Sequence, residues 1–374
     1  MKKILADPNI LKLERFEQIG SVVCVPGREW TNDLVRDFDI LLVRSVTHVD
    51  ADLLKNSRVS FVGTATSGFD HIDRDYLQQN RIHFCYCPGC NATSVAEYIL
   101  SAVLALSNRD QKIETMTAGI IGCGHVGSEV EKLLRAIGVT CILNDPPLQK
   151  QMEKHLAHDL TTQQRYRSLD EALSADIVTI HTPLTFDGEN ATHKLISERE
   201  LDQLKPDVIF INAARGGVVD ENALQKRIEK TPEMMTVIDC WQDEPNIDRA
   251  LLDRVSLGTP HIAGYSYDGK VRATRMLFDA VTEFYDIELT WSEGQSHQHV
   301  DFAGDQKSLE ISSILDIRQN STTQISLRER VLSHYDIRAD SAALKKIVGL
   351  DNTQASQAFD QLRKNYPKRR EFKY

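Results

Sequence analysis

The sequence contains no apolar run as long as a membrane span, no low-complexity tract and no internal repeat. A helical membrane protein and a repeat solenoid are therefore excluded. Its first residues, Met1-Lys2-Lys3-Ile4-Leu5, meet Asp7 and Pro8 before the apolar centre of a leader could form, so a secretory signal is not expected. A surplus of positive charge is also missing. Lys and Arg number 44 against 54 Asp and Glu, a formal net charge of -10, which argues against a general nucleic-acid binder. Cysteine is scarce and odd in number, seven in all; that fits a reducing compartment, and the expectation is a cytoplasmic protein without disulfides. Cys85, Cys87 and Cys90 lie close together, but no second Cys or His pair at ligand spacing follows and Pro88-Gly89 marks a turn. No metal is expected there.

What is present is an ordinary globular composition, 41% hydrophobic and 26% charged over 374 residues, enough for two or three domains. The stretch from Thr117 to Asp145 organises the rest. Ala118 to Ile121 is an apolar strand running into Gly122-Cys123-Gly124-His125-Val126-Gly127, a G-x-G-x-x-G turn. The first glycine allows the tight turn, the second lets a pyrophosphate approach the backbone, and the third lets the next helix pack close to the sheet. Val126, Val130, Leu133, Leu134 and Ile137 then recur at helical spacing, and Val139 to Leu143 ends at Asn144-Asp145. An acidic residue there is placed to accept the ribose hydroxyls of NAD and to repel the extra phosphate of NADP.

Residues before position 91 alternate short apolar runs (Lys3–Ala6, Val22–Val25, Ile40–Val43, Ser60–Gly63) with helical segments, which predicts a small parallel α/β domain. Two strand ends there carry polar loops, Arg44-Ser45-Val46-Thr47 and Thr64-Ala65-Thr66-Ser67-Gly68, where ligands gather in such sheets. Ser94 and Glu97 read as a capping box opening a buried helix to Leu106; Ser168 with Glu171 and Ser197 with Glu200 read the same way. After Asp145 the alternation resumes, each strand delivering a polar loop: Thr182-Pro183, Asn212 to Gly217, Cys240 to Pro245, and Gly258 to Tyr265. Trp291 to Lys307 reads as a polar linker, followed by helices near 326–334, 341–348 and 353–365. Arg363, Lys364, Lys368, Arg369, Arg370 and Lys373 concentrate positive charge at the end. This cluster is either a solvated basic face or a segment folding back, with Tyr366, towards the Arg44-Ser45 loop.

Three of those loops supply Arg215, Glu244 and His261. Oxidising an alcohol beside a carboxylate needs these types: a guanidinium to clamp the carboxylate, an imidazole to take the hydroxyl proton, and a carboxylate to orient the imidazole. With His181-Thr182-Pro183-Leu184, Asn212-Ala213-Ala214-Arg215-Gly216, Asp239, Glu244-Pro245 and Pro260-His261-Ile262-Ala263-Gly264 in this order, the chain resembles the D-2-hydroxyacid dehydrogenase family. Val43 to Thr47, Phe61 to Thr66, Pro88 to Ala92, Asp145-Pro146-Pro147, Tyr265 and the tail Leu362 to Glu371 resemble a branch of it that oxidises a phosphorylated sugar acid.

That resemblance implies an NAD-dependent enzyme acting on a small phosphorylated hydroxy acid. Arg215, Glu244 and His261 would be the catalytic set. Gly122, Gly124, His125, Val126, Gly127, Asp145, Thr182, Ala213, Ala214, Arg215, Asp239 and Gly264 would meet the cofactor, and Arg44, Ser45, Thr66 and Tyr265 the substrate. It implies a flavodoxin-like substrate domain over 1–92, completed by 266–288. A doubly wound Rossmann NAD domain would span 93–265, and a small α+β unit over 289–374 would build a homodimer. Lys150 to Arg165 and Gln295 to Thr323 depart from the pattern. Dehydrogenation of 3-phosphoglycerate or of an unphosphorylated acid, or an NAD-sensing role such as this fold has in transcriptional corepressors, are the competing expectations.

Overall fold

A computed structural model describes residues 1–107, 112–155, 165–291, 323–367 and 369–372. The chain forms two compact units, Met1–Asn91 with Ser266–Asp301, and Ala92–Tyr265 with Phe302–Tyr374.

The first unit is built on five parallel strands: β1 (Lys2–Ala6), β2 (Gly20–Cys24), β3 (Ile40–Val43), β4 (Phe61–Thr64) and β5 (His83–Cys85), in the order β2-β1-β3-β4-β5. This is the flavodoxin-like order. Period-two alternation decides which side chains go to which face. Ile4, Ile40, Leu42 and Phe61 point to one core with Phe16, Leu277, Phe278 and Val281; Leu5, Leu41, Val43 and Val62 point to the other with Trp30, Val35, Leu54 and Leu77. Both faces are covered, as a parallel sheet requires. The helix Tyr267–Phe284 supplies the first cover, started by Ser266, whose hydroxyl accepts the Gly269 N–H at 2.9 Å.

The second unit contains β6 (Thr117–Ile121), β7 (Thr140–Asn144), β8 (Ile177–Ile180), β9 (Ile209–Asn212), β10 (Met235–Ile238) and β11 (Leu257–Gly258), all parallel, in the order β11-β10-β9-β8-β6-β7. Beyond β7 a single parallel bridge joins Leu143 to Tyr166. Counting that bridge as the third strand restores the doubly wound 3-2-1-4-5-6 order. The polar stretch before Tyr166 is where the sequence departs from its resemblance, and among the described residues the third strand is one residue pair.

The helix His125–Ala136 buries Val130, Leu133 and Leu134 on the sheet, each worth about 1.5–3 kcal/mol. The capping boxes at Ser168 and Ser197 form as read from sequence. The one at Ser94 does not. The helix starts at Ala92, so Ser94 and Glu97 lie inside it and are fully buried. Ser94 donates to Glu371 at 3.0 Å, and Glu97 is taken up by the Arg369 guanidinium and the Phe372 N–H at 2.6 Å.

The C-terminal segment has three helices among its described residues, Thr323–His334, Ile337–Lys345 and Asn352–Lys364. Val331 and Ile337 join the core around Tyr98, while Leu344 and Phe359 join that around Trp241. The linker expected from Trp291 to Lys307, beyond Trp291 itself, and any strands of the expected α+β unit lie outside the described residues. Nor is the basic tail simply a solvated face. Arg369 is 5% exposed and sits over the Tyr335 ring at 4.3 Å while bound to Glu97. A buried carboxylate demands a partner.

Candidate active site

The turn after β6 has the shape its glycines were expected to permit. Gly122 takes φ +87°, a left-handed conformation, and its N–H donates to Asn144 O at 2.8 Å. A Cβ on Gly127 would lie 2.0 Å from Gly122 O, so only glycine lets the helix start this close to the strand. A Cβ on Gly124 would meet nothing within 4 Å. His125 and Val126 are the first helical residues, His125 exposed and Val126 half-buried. The free N–H groups of this helix end therefore face open space, the setting in which an anion binds.

Asp145 lies across the turn. Its Oδ2 accepts the Cys123 N–H at 2.8 Å and its Oδ1 accepts the Leu148 N–H at 3.0 Å, which holds the carboxylate at the end of β7 with acceptor capacity to spare. At the end of β8 the Thr182 Oγ1 and His181 Nδ1 are enclosed without a protein partner. Burial pushes the His181 pKa down to about 3, so its ring is a neutral donor or acceptor. Orphaned polar atoms beside an open glycine turn fit a dinucleotide whose phosphates and ribose hydroxyls would complete them.

The next three strand ends carry the residues expected to do chemistry. After β9, Asn212 shapes the turn: its amide donates to Arg215 O at 3.1 Å and its Oδ1 accepts the Ala214 N–H at 3.2 Å. Ala213 is half-buried and Ala214 buried; Arg215 is half-buried and donates from Nη1 to Ala214 O at 2.8 Å. After β10, Glu244 accepts the Trp241 N–H on Oε1 at 2.8 Å. Its other oxygen, Oε2, meets His261 Nδ1 at 2.8 Å.

The His261 loop is strained and braced. His261 has φ +55°, unusual for a residue with a side chain, a cost of about 1–3 kcal/mol that surrounding bonds must offset. Those bonds come mainly from Asp239, 1% exposed. Its carboxylate accepts Thr259 Oγ1 at 2.6 Å, Ile262 N–H at 2.7 Å and Ala263 N–H at 3.0 Å, and its carbonyl accepts the His261 N–H at 2.9 Å. Tyr98 anchors the same Thr259 at 2.7 Å. Gly264 and Tyr265 end the loop, both half-buried.

Electrostatics are set by this packing. Burial works against an imidazolium, but Cys240 and Glu244 outweigh it and hold the His261 pKa well above its ordinary value. Burial keeps the Cys240 thiol protonated, so Glu244 is the charge behind the effect. For Glu244 burial pulls upward, and His261, the Trp241 N–H and Arg363 together bring it below the usual carboxylate range. An imidazole with one nitrogen tied to a carboxylate and its side chain 33% exposed can exchange a proton through the other nitrogen.

In the first unit, Arg44 is half-buried and Ser45 exposed at the end of β3. The Thr66 hydroxyl is already engaged, with Thr64 Oγ1 at 2.6 Å and Gly68 O at 2.7 Å, and Thr64 in turn meets His71 Nε2 at 2.9 Å. Cys87 and Cys90 are buried, Cys87 donating to Thr64 O at 3.3 Å and Ala273 O at 3.2 Å. Three participants escaped the sequence reading. Asn212 and Thr259 act only through turns they stabilise, which leave no pattern in sequence. Arg363 reaches the Glu244 loop from a distant helix.

Comparison with known proteins agrees with this geometry. The family described as D-isomer specific 2-hydroxyacid dehydrogenase, NAD binding domain, matches residues 103–263, and a domain of unknown function (DUF3410) matches residues 310–374. Among solved structures, 3-phosphoglycerate dehydrogenase of Entamoeba histolytica with NAD⁺ bound shares 22% identity at a TM-score of 0.64, covering 78% of this chain and 99% of that one. D-lactate dehydrogenase of Aquifex aeolicus, complexed with NAD and lactic acid, shares 22% at 0.62, covering 76% and 95%. At that identity they show the fold alone. Curated relatives are much nearer. Erythronate-4-phosphate dehydrogenase of Marinobacter nauticus is 42% identical over 372 residues, covering 98% of this chain and 92% of its own. The Proteus mirabilis protein of the same name is 39% identical, covering 99% and 93%. By this near full-length similarity the chain belongs to the erythronate-4-phosphate dehydrogenase family, within the NAD-dependent D-2-hydroxyacid dehydrogenases.

Proposed function

We propose that the chain oxidises 4-phospho-D-erythronate at its C2 hydroxyl to 2-oxo-3-hydroxy-4-phosphobutanoate, a step of pyridoxal 5'-phosphate biosynthesis. The observation that carries the chemistry is the His261–Glu244 pair, 2.8 Å apart, on the same run of strand ends as the glycine turn; the relatives' shared name supports the substrate. Bound NAD would supply the acceptor for the hydride that leaves C2. His261 takes the hydroxyl proton on Nε2, the nitrogen not held by Glu244. Glu244 fixes the tautomer and stabilises the imidazolium that forms. Arg215 clamps the substrate carboxylate through its planar fork. The helix end at His125 carries the pyrophosphate, Asp145 the ribose hydroxyls, and Thr182, Ala213, Asp239 and Gly264 the remaining cofactor contacts.

Arg44, Ser45, Thr66 and Tyr265 hold the phosphorylated end of the acid. The protein works as a homodimer, with the C-terminal segment contributing to the interface, in a reducing cytoplasm that suits its seven free cysteines. A panel at fixed NAD tests the substrate: NADH should form from 4-phospho-D-erythronate with a kcat/KM at least tenfold above that for 3-phosphoglycerate or D-lactate. A preference for either of those acids would replace the proposed substrate. NAD binding without turnover of any would make the chain a sensor.

A further inference from the structure

A cation from the C-terminal helix reaches the proton-transfer pair. Arg363 lies in the last turn of Asn352–Lys364, and its side chain is 21% exposed. Its Nη1 is 3.9 Å from Glu244 Oε2, the same oxygen that meets His261 Nδ1 at 2.8 Å. The guanidinium also lies close enough to the Tyr265 side chain to interact with it, and the Tyr265 ring packs edge-on against Tyr366 at 5.9 Å. The helix is held firmly enough to make this contact specific. Phe359 and Ala355 are buried in the core that contains Trp241 and Ile247, on either side of Glu244. Ser356 hydrogen-bonds Asn246, and Arg249 Nη2 donates to Asn352 Oδ1 at 2.6 Å. The loop bearing Glu244 is thus braced from the C-terminal helix at several points.

We propose that Arg363 is a positioning residue for proton transfer: its guanidinium takes up part of the Glu244 charge and fixes the Tyr265 hydroxyl, so that the C-terminal helix sets how readily His261 releases its proton. The physical reason is competition. Glu244 alone would hold a proton on His261, yet the oxidation needs that imidazole neutral before each turnover. A cation beside the same carboxylate oxygen weakens that hold while leaving the orienting hydrogen bond intact. Other charged or titratable groups that act on the pair among the described residues include Asp239, Cys240 and Glu221. Of these Asp239 and Glu221 are carboxyls, and Cys240 stays a thiol. Arg363 is a cation that acts on Glu244 directly.

This rests on His261 as the base, and one set of pH profiles separates the two claims. In the wild type, kcat/KM for oxidation should rise with pH through the His261 pKa and then level. Arg363→Gln should move that rising limb upward by about one unit and change the high-pH plateau much less. Arg363→Lys, which keeps the charge and loses the fork that reaches Tyr265, should leave the limb in place and raise KM. Tyr265→Phe should raise KM likewise without moving the limb. A limb unmoved in folded, NAD-binding Arg363→Gln overturns the proposal. Should that variant fail to fold, Arg363→Lys decides, because a KM equal to the wild type's overturns the contact to Tyr265. If instead His261→Ala keeps its turnover, the reading of the base itself is what fails.

Discussion

Counting named strands alone, the first five of each parallel sheet wind in the same order, yet the two sheets end their first strands in opposite ways. In the first unit β1 runs into Asp7, which is 1% exposed. Its carboxylate accepts the Asn9 N–H at 2.8 Å, the Asn9 side-chain amide at 2.9 Å and the Gly27 N–H at 3.3 Å. The chain then makes a 3₁₀ turn, Leu13–Gln18, too short to carry a useful dipole. In the second unit β6 runs into glycines and a helix of 12 residues whose first N–H groups are open. One crevice is filled by its own negative charge and the other is shaped to receive one. Topology places a crevice at the switch point of either sheet, and the residues just after the first strand decide whether a dinucleotide can use it.

The largest effect should come from the loops that only the second sheet carries. His261→Ala should lower turnover by about 10²–10⁴, roughly 3–5 kcal/mol of transition-state stabilisation, while the dissociation constant for NAD stays within about twofold; stopped-flow NADH formation and cofactor titration measure the two. Intermediate in size is a change that makes the second crevice resemble the first. Gly124→Asp meets no atom within 4 Å of its new Cβ and occupies the N-cap position. The fold should therefore keep its melting temperature or gain slightly, while affinity for NAD drops by about 10–100-fold through repulsion of the pyrophosphate. Unchanged affinity would mean that the pyrophosphate lies elsewhere. The smallest effect belongs to Asp145→Ser, which should narrow the preference for NAD over NADP by about fivefold, ~1 kcal/mol. A wild type that already uses both cofactors equally would remove Asp145 from that role.

Legibility in the sequence divides along the same line. The glycine turn, its helix and the acidic end of β7 are consecutive in the chain, so spacing alone conveys them. That Arg215, Glu244 and His261 sit in loops at successive strand ends was legible because each comes after an apolar run that ends in a polar loop. The misread parts depend on partners far away in the chain. Ser94 and Glu97 match a capping box letter for letter, but Ala92 already starts the helix and tertiary partners claim both side chains. For the basic cluster around Arg363 and Arg369 the sequence left a solvated face and a fold-back both open, because no local pattern reveals a buried carboxylate waiting for it. That the third Rossmann strand shows only the Leu143–Tyr166 bridge among the described residues was visible only as an unusually polar stretch.

The pairing of Glu97 with Arg369 also sets a clock. The two residues are 272 positions apart, so at a synthesis rate of roughly 5–20 residues per second the helix bearing Glu97 leaves the ribosome about 15–55 s before its countercharge exists. Throughout that interval the carboxylate can be protonated, hydrated or partly exposed, but it cannot be buried as it is in the finished molecule. The contact between that helix and the end of the chain is therefore among the last that the nucleotide-binding unit can make.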